Sequence, residues 1–329
     1  MKAIVIGLGS MGRRRIRLLK VYDDSMEIVG IDSKEDRRKQ AEEELGLRTF
    51  SDIKEACDNT KNPEAAFVST SPLSHAEIIK ECLNRGLHTF TEINLVDNGY
   101  DDNMHLASDK GRVLFLSSTF LYRKEIEFIR KSVNGSARKK SYIYHVGQYL
   151  PDWHPWENYK DFFVGKKETN GCRELMTIEF PWIFETFGMP KKWSVQKSRI
   201  SELDIDYEDS FQIMFSHSDG SMGTVFIDVV SRKPVRKFEC IAEDMYLSWD
   251  GTPDGLHIYD IDKKEDVRVR VYDKVNKRKD YSPSIIEDAY LAEISEFMDS
   301  INGKTIPRYS FEKDKKVLSI IDAIEESTS

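Results

Sequence analysis

The chain reads as an α/β protein: an N-terminal doubly wound parallel sheet, then an α+β domain with a large, open, mainly antiparallel sheet. Three observations predict this. Lys2–Ile6 is a continuous apolar run that ends on Gly7-x-Gly9-x-x-Gly12. Strand-like and helix-like segments then alternate with short connections up to about Ser118. Beyond that point strand-like runs follow one another with few helices between them. Alternation builds a parallel sheet covered by helices, whereas successive strands build an antiparallel one.

Taken in order, Lys2–Ile6 and Glu27–Ile31 are short apolar runs suited to strands buried on both faces. Residues 13–19 read as the helix between them, and residues 65–70, 88–92 and 113–117 as further strands. Glu35–Leu45 is a helix stopped by Gly46, and residues 74–85 a helix stopped by Gly86. Ile78, Ile79, Cys82 and Leu83 give the latter an apolar stripe at helical spacing. In the second half, residues 141–149, 193–200, 211–215, 223–230, 236–242 and 267–272 resemble strands, with the hairpin turn HSDGSMG at residues 217–223. Helices at 285–301 and 311–325 close the chain, the first burying Ile286, Tyr290, Ile294, Phe297 and Ile301. The charged stretches 260–265 and 274–280 read as exposed loops. The expected domains are residues 1–118 and 119–329, with the terminal helices free to pack back on the first.

The glycine pattern carries chemistry. The first glycine permits a tight turn off the strand, the second lets backbone approach a pyrophosphate, and the third lets the helix pack closely. The helix N-terminus then presents free N–H groups and a positive dipole end to the phosphates. Asp32 follows 20 residues after Gly12, at the end of the next strand, where a carboxylate accepts hydrogen bonds from an adenosine ribose. Gly7, Leu8, Gly9, Ser10, Met11, Gly12, Asp32 and Ser33 are therefore the expected cofactor loop. Asp32 repels a 2′-phosphate, so NAD is expected over NADP, with Lys34, Arg37 and Arg38 partly offsetting that preference. The run Arg13-Arg14-Arg15 could assist the pyrophosphate, but reads more simply as a solvated helix face.

Composition excludes other classes. The 329 residues are 40% hydrophobic and 32% charged, enough for two full cores. A net charge of −8 offers no general attraction to nucleic acid or anionic membrane. No run approaches the roughly 18 apolar residues of a membrane span. The opening strand leaves no room for a signal peptide. Cys57, Cys82, Cys172 and Cys240 are scattered without a CxxC pair, which points to reduced thiols in a cytoplasmic protein and no metal site.

The segments GLGSMGRRR, STSPLSH (69–75), RGLHTFTE (85–92) and GQYLPDWHPWENY (147–159), with the strand-rich second half, resemble the glucose–fructose oxidoreductase / inositol dehydrogenase / MocA (Gfo/Idh/MocA) family over nearly the full length. The resemblance implies an NAD(P)-binding Rossmann domain and a substrate cleft between domains. It also implies hydride transfer at a hydroxyl or carbonyl of a sugar, cyclitol or nucleotide sugar. It implies a homodimer or homotetramer formed through the outer face of the second sheet. Thr70, Ser71, Pro72, His75, Glu92 and Thr119 would line the cofactor. Two family motifs are altered. Glu-Lys-Pro becomes Glu92-Ile93-Asn94, and an Asp-x-x-x-His helix aligns with Thr177 and Pro181; Thr119 stands for the usual asparagine.

Alcohol oxidation by hydride transfer needs a base for the hydroxyl proton. Neither Ile93 nor Pro181 supplies one. Glu179, two residues before the histidine position, and His154, in the aromatic loop, are the replacement candidates. Against this, Glu179 could simply pair with Arg173, and His154 could simply pack. Tyr149, Asp152, Trp153, Trp156, Tyr159 and Lys166 are the expected substrate contacts, since Trp and Tyr faces and a few polar groups suit a sugar. Two other readings stay open: an NAD-retaining lyase, epimerase or glycosidase-like enzyme, and a catalytically silent cofactor-binding regulatory subunit.

Overall fold

The computed structural model describes residues 1–153, 157–276 and 285–328, which divide into two compact units: Met1–Thr119 with Ala289–Lys316, and Phe120–Asp288 with Val317–Ser329. In the first unit the strands are β1 (Lys2–Ile6), β2 (Glu27–Ile31), β3 (Arg48–Phe50), β4 (Ala65–Val68), β5 (His88–Thr91) and β6 (Leu114–Leu116). They form one parallel sheet in the order β3-β2-β1-β4-β5-β6. The order reverses between β1 and β4, and ligands of such sheets bind beyond the strands' carboxyl ends at that point. Helices α1 (Ser10–Tyr22), α2 (Glu35–Leu45), α3 (Ile53–Asn59), α4 (His75–Asn84) and α5 (Tyr100–Asp109) connect the strands. β1 and β4 are almost wholly buried because Ala, Ile, Val and Phe face helices on both sides. Gly46 ends α2 in the left-handed region, φ 61°.

The second unit contains α6 (Lys124–Gly135), β7 (Ser141–Gly147), α7 (Gly171–Phe187) and strands β8 (Pro190–Ser198), β9 (Ser210–His217), β10 (Met222–Asp228), β11 (Val235–Ala242), β12 (Met245–Trp249), β13 (Leu256–Asp260) and β14 (Glu265–Arg268). Their order is β14-β13-β12-β11-β7-β10-β9-β8; β7 and β10 run parallel and all other pairs are antiparallel. Alternation assigns the faces. Tyr142, Tyr144 and Val146 of β7 and Phe211, Ile213 and Phe215 of β9 are buried. They meet α7, where Phe180 and Phe184 stand edge-on to Phe215 and Trp182 edge-on to Tyr144. The opposite face leaves Ile143, Met214, Met222 and Ile241 exposed.

Helices α8 (Glu287–Ile301) and α9 (Phe311–Glu326) follow. Phe297 of α8 packs edge-on against Phe67, Phe90 and Phe115 of the parallel sheet at 5.3–5.6 Å. Tyr290 and Ile301, expected on the same buried face, are only half-buried. The stretch 260–265, expected as a loop, is the turn joining β13 to β14 and the ends of both strands. The strand expected at 267–272 is instead β14, which begins earlier and stops at Arg268. Most of the second charged stretch, 274–280, lies outside the described residues.

Candidate active site

The glycine loop has the geometry its spacing requires. Gly7 adopts φ 90°, and a Cβ there would lie 2.5 Å from the Ser69 carbonyl oxygen. A Cβ on Gly12 would lie 1.8 Å from the Gly7 carbonyl oxygen, so only glycine lets α1 approach β1 this closely. Gly9 differs: a Cβ there would meet only Arg37 Nη1, at 3.8 Å. The loop is thus tight on its protein side and open at its middle glycine.

The N-terminus of α1 has no side-chain cap and no acid in its first turn. Its first turn closes where Arg13 N donates to the Gly9 carbonyl at 3.1 Å. The earlier N–H groups, on Ser10, Met11 and Gly12, have no acceptor within the helix. Uncapped donors at a positive dipole end, beside a glycine facing open space, fit a pyrophosphate. At the end of β2, Asp32 Oδ2 accepts Leu8 N at 2.8 Å and Oδ1 accepts Lys34 N at 2.9 Å. Each oxygen keeps a further lone pair, so Asp32 shapes the loop and retains capacity for a ribose hydroxyl. Arg37 Nη1 lies 3.9 Å from Asp32 Oδ2, and Arg38 Nη1 donates to the carbonyls of Asp32 and Ser33.

Arg15 overturns the reading of Arg13-Arg14-Arg15 as a solvated face, because Arg14 and Arg15 are buried, at 4% and 0% exposure. Arg15 Nε and Nη2 donate to the two oxygens of Glu92 at 2.7 and 2.9 Å. Nη2 also donates to Glu293 Oε2 at 2.8 Å. Glu293, on α8, accepts from Ser117 Oγ, Ser118 N and Thr119 Oγ1 at 2.8–3.0 Å. One guanidinium therefore ties the cofactor-loop helix to the ends of β5 and β6. Burial works against its charge, but Glu92 and Glu293 outweigh that and hold the Arg15 pKa above its usual value. Burial pushes the Glu293 carboxyl up, against the pull of Arg15.

This network engages two residues expected to line the cofactor. Both Glu92 oxygens are engaged by Arg15, with Ser69 Oγ at 3.3 Å, so Glu92 anchors the loop helix rather than standing free for a ribose. Thr119 spends its hydroxyl on Glu293. His75 is engaged as well. It is 2% exposed, with Nδ1 2.5 Å from Asn94 Oδ1 and Nε2 3.0 Å from the Thr70 carbonyl. Burial lowers its pKa, and it clamps the turn holding Thr70, Ser71 and Pro72. Ile93, at the family's lysine position, is half-buried.

In the second unit Glu179 is 0% exposed. Its Oε2 accepts from Tyr144 Oη at 2.6 Å and Trp182 Nε1 at 2.8 Å. Its Oε1 accepts from Arg236 Nε and Nη2 at 3.1 and 2.7 Å. A carboxylate held by four donors and sealed from solvent is the counter-ion of Arg236, where the sequence expected a proton-transfer role. Arg173, its expected partner, binds Asp322 at 2.6 Å and Glu325, both on α9. Thr177 and Pro181 are buried, and Pro181 sits inside α7 with no N–H to give.

His154 and Trp156 lie outside the described residues. Among the described residues of the second unit, the Arg232 guanidinium lies 3.5 Å from the centre of the Tyr149 ring. Trp153 Nε1 donates to the Gln148 carbonyl, and Tyr159 Oη accepts from Asp204 N. Asp152 and Lys166 are exposed. Sequence reasoning missed Arg15, Glu293 and Arg236 because their partners lie 57–278 residues away. A charged residue in an otherwise apolar helical stripe, such as Glu293 beside Ile294 and Phe297, was the available signal.

Residues 1–116 match the GFO_IDH_MocA family, described as an oxidoreductase family with an NAD-binding Rossmann fold. This part of the chain, which carries the glycine loop, is similar to that family's NAD-binding domain. Among similar proteins, the myo-inositol 2-dehydrogenase of Thermotoga maritima is 27% identical over 149 residues, 44% of each chain. The chain thus aligns with less than half the length of that curated relative. An oxidoreductase of Agrobacterium radiobacter, solved with NAD+, L-tartaric acid and magnesium, superposes with TM-score 0.83 at 12% identity, covering 99% of this chain and 96% of the other. UDP-N-acetylglucosamine 3-dehydrogenase of Acidithiobacillus ferrooxidans superposes with TM-score 0.76 at 18% identity, with the same coverage. At these identities the superpositions show that the chain shares the two-sheet fold. Among its described residues there is no group of three or more His, Cys, Asp or Glu placed to hold a metal. No described helix is long and apolar enough to cross a membrane.

Proposed function

We propose that this chain is an NAD(H)-dependent oxidoreductase acting on a hydroxyl or carbonyl of a sugar, cyclitol or nucleotide sugar. The observation that carries this is the uncapped N-terminus of α1, facing open space at Gly9 and backed by Asp32. Ser10, Met11 and Gly12 would hold the pyrophosphate, and Asp32 with Ser33 the adenosine ribose. The bound nicotinamide supplies the hydride acceptor or donor. Arg15, Glu92 and Glu293 keep the loop helix and the ends of β5 and β6 in fixed relation. Thr70, Ser71 and Pro72 form the turn beyond β4, held from behind by His75. Asp152, Lys166 and the Tyr149 ring remain the substrate-side candidates. The relatives named for inositol and for a UDP-sugar support the polyol class.

The sheet's outer face supports association of copies. Met214, Thr224 and Ile143 are neighbours across β9, β10 and β7, and Met222, Ser141 and Ile241 form the adjacent row. Four of these six are exposed large apolar residues. The four free thiols, three of them buried, suit a reducing compartment such as the cytoplasm. The test is NADH and NADPH binding by fluorescence, followed by turnover on inositols, free sugars and UDP-sugars. NADH binding tighter than NADPH, with NADH produced or consumed on one substrate class, is expected. Absence of nicotinamide-cofactor binding would refute the proposal.

A further inference from the structure

Two buried amides share one small cavity in the first unit. Asn94, just past β5, is 3% exposed, and Asn103, on α5, is 2% exposed. Both line a cavity of about 10 Å³, together with His75 and Tyr100. Among the described residues, Asn94 Nδ2 and Asn103 Oδ1 are fully enclosed and reach no hydrogen-bond partner. The other end of each amide is already held. Asn94 Oδ1 lies 2.5 Å from His75 Nδ1, and Asn103 Nδ2 donates to the Ala76 carbonyl at 3.0 Å. Neither side chain can turn its unmatched atom elsewhere without giving up that contact.

Leaving a buried donor and a buried acceptor unmatched costs free energy, and one small molecule that both donates and accepts would satisfy the two at once. The cavity has about the room that a single water needs. Among the described residues that line it none is acidic, so no carboxylate there offsets the charge of a cation. Tyr100 offers a third contact. Its hydroxyl gives its proton to Asp314 at 2.5 Å, and it approaches the Asn94 amide without closing a hydrogen bond. Its oxygen therefore keeps a lone pair. Three partners are typical of a buried water. Leu73 and Asn98, two more of the lining residues, are exposed, which gives a water a way in from solvent.

We propose that this cavity is a binding site for one ordered water, which bridges the Asn94 amide, Asn103 Oδ1 and Tyr100 Oη. The bridge serves either orientation of the Asn94 amide. His75 Nε2 faces the Thr70 carbonyl, an acceptor, and so carries a proton. A neutral ring then accepts at Nδ1 and draws the Asn94 NH2 toward itself, which puts the Asn94 oxygen in the enclosed position. A water then donates to both Asn94 and Asn103; in the other orientation it accepts from Asn94 and donates to Asn103. With the water in place the bonds run from the Thr70 carbonyl through His75, Asn94, the water and Asn103 to the Ala76 carbonyl. The path begins in the turn beyond β4 and closes on the first turn of α4, with α5 tied in between.

The test is a high-resolution crystal structure of the full-length protein and of Asn103→Leu, which removes the acceptor and fills the cavity. Wild type should show one peak of density about 2.7–3.2 Å from the side chains of both Asn94 and Asn103. The peak should be missing from Asn103→Leu. A wild-type cavity without density, or a peak retained in Asn103→Leu, overturns the proposal. So does a peak with several oxygen ligands at about 2.3–2.6 Å, which marks a cation. If Asn103→Leu does not fold, the wild-type density alone decides.

Discussion

Replacing Arg15 with methionine removes the guanidinium that two buried carboxylates share, while filling most of its volume. Arg15 and Glu293 are fully buried, and Glu92 is 9% exposed. Breaking a buried ion pair by deleting one partner costs about 3–5 kcal/mol, because the remaining charge is left uncompensated. For a chain of this size about 1 kcal/mol corresponds to roughly 2–4 °C in Tm, so Arg15→Met should lower Tm by roughly 6–20 °C. The loss should depend on pH. The Glu293 carboxyl is already raised by burial. A carboxyl raised above its unfolded value of about 4.3 contributes stability that is present below that value and lost as pH rises through its folded pKa. Without Arg15 the Glu293 carboxyl rises further. The Tm gap between variant and wild type should therefore be wider at pH 8 than at pH 5. Scanning calorimetry at both pH values, with NADH titration, measures this. A Tm within about 2 °C of wild type at both pH values, with unchanged NADH affinity, would refute the reasoning.

Gly9→Ala should leave Tm unchanged, since its Cβ meets only Arg37, yet weaken NADH binding at least roughly tenfold, about 1.4 kcal/mol; Gly12→Ala should fail to fold stably because of the contact with the Gly7 carbonyl. Asp32→Ser leaves Arg37 without the nearby carboxylate and should shift the NADPH-to-NADH affinity ratio toward NADPH by on the order of tenfold, read by fluorescence titration. Glu179→Gln leaves Arg236 without its counter-ion and should cost roughly 3 kcal/mol in urea unfolding, with less than a tenfold change in kcat. Ile143→Lys places charge on the exposed apolar rows and should reduce the sedimenting species to monomer.

The fold was largely legible because local periodicity and glycine punctuation agree with the tertiary arrangement. The glycine loop, β1, β2 and α2 fall where the pattern places them. β3 has only three residues, Arg48–Phe50. Such short strands are held by their neighbours and give little periodicity to read. The strand ends were also overextended: the run 65–70 stops at Val68, after which the Ser69 oxygen faces Gly7. The site was legible where function is local, as in Gly7 to Gly12. It was not legible where charges pair over long separations. Arg15 finds Glu293 278 residues later, and Glu179 finds Arg236 57 residues later. Adjacent charges in sequence cannot reveal which of them will be buried together.

Glu293 and Phe297 have a consequence for the order in which the protein is made. The first compact unit comprises Met1–Thr119 and Ala289–Lys316. Its sheet leaves the ribosome without the helix that covers Phe67, Phe90 and Phe115 and without the carboxylate that binds Ser118 N. At about 5–20 residues per second, the intervening segment delays that helix by roughly ten to thirty seconds. During that interval the nascent parallel sheet carries an open aromatic face and an unfinished charge network. The N-terminal unit is first to be synthesised and among the last to be complete. A fragment ending at Thr119 would carry the whole glycine loop and still lack what closes its core.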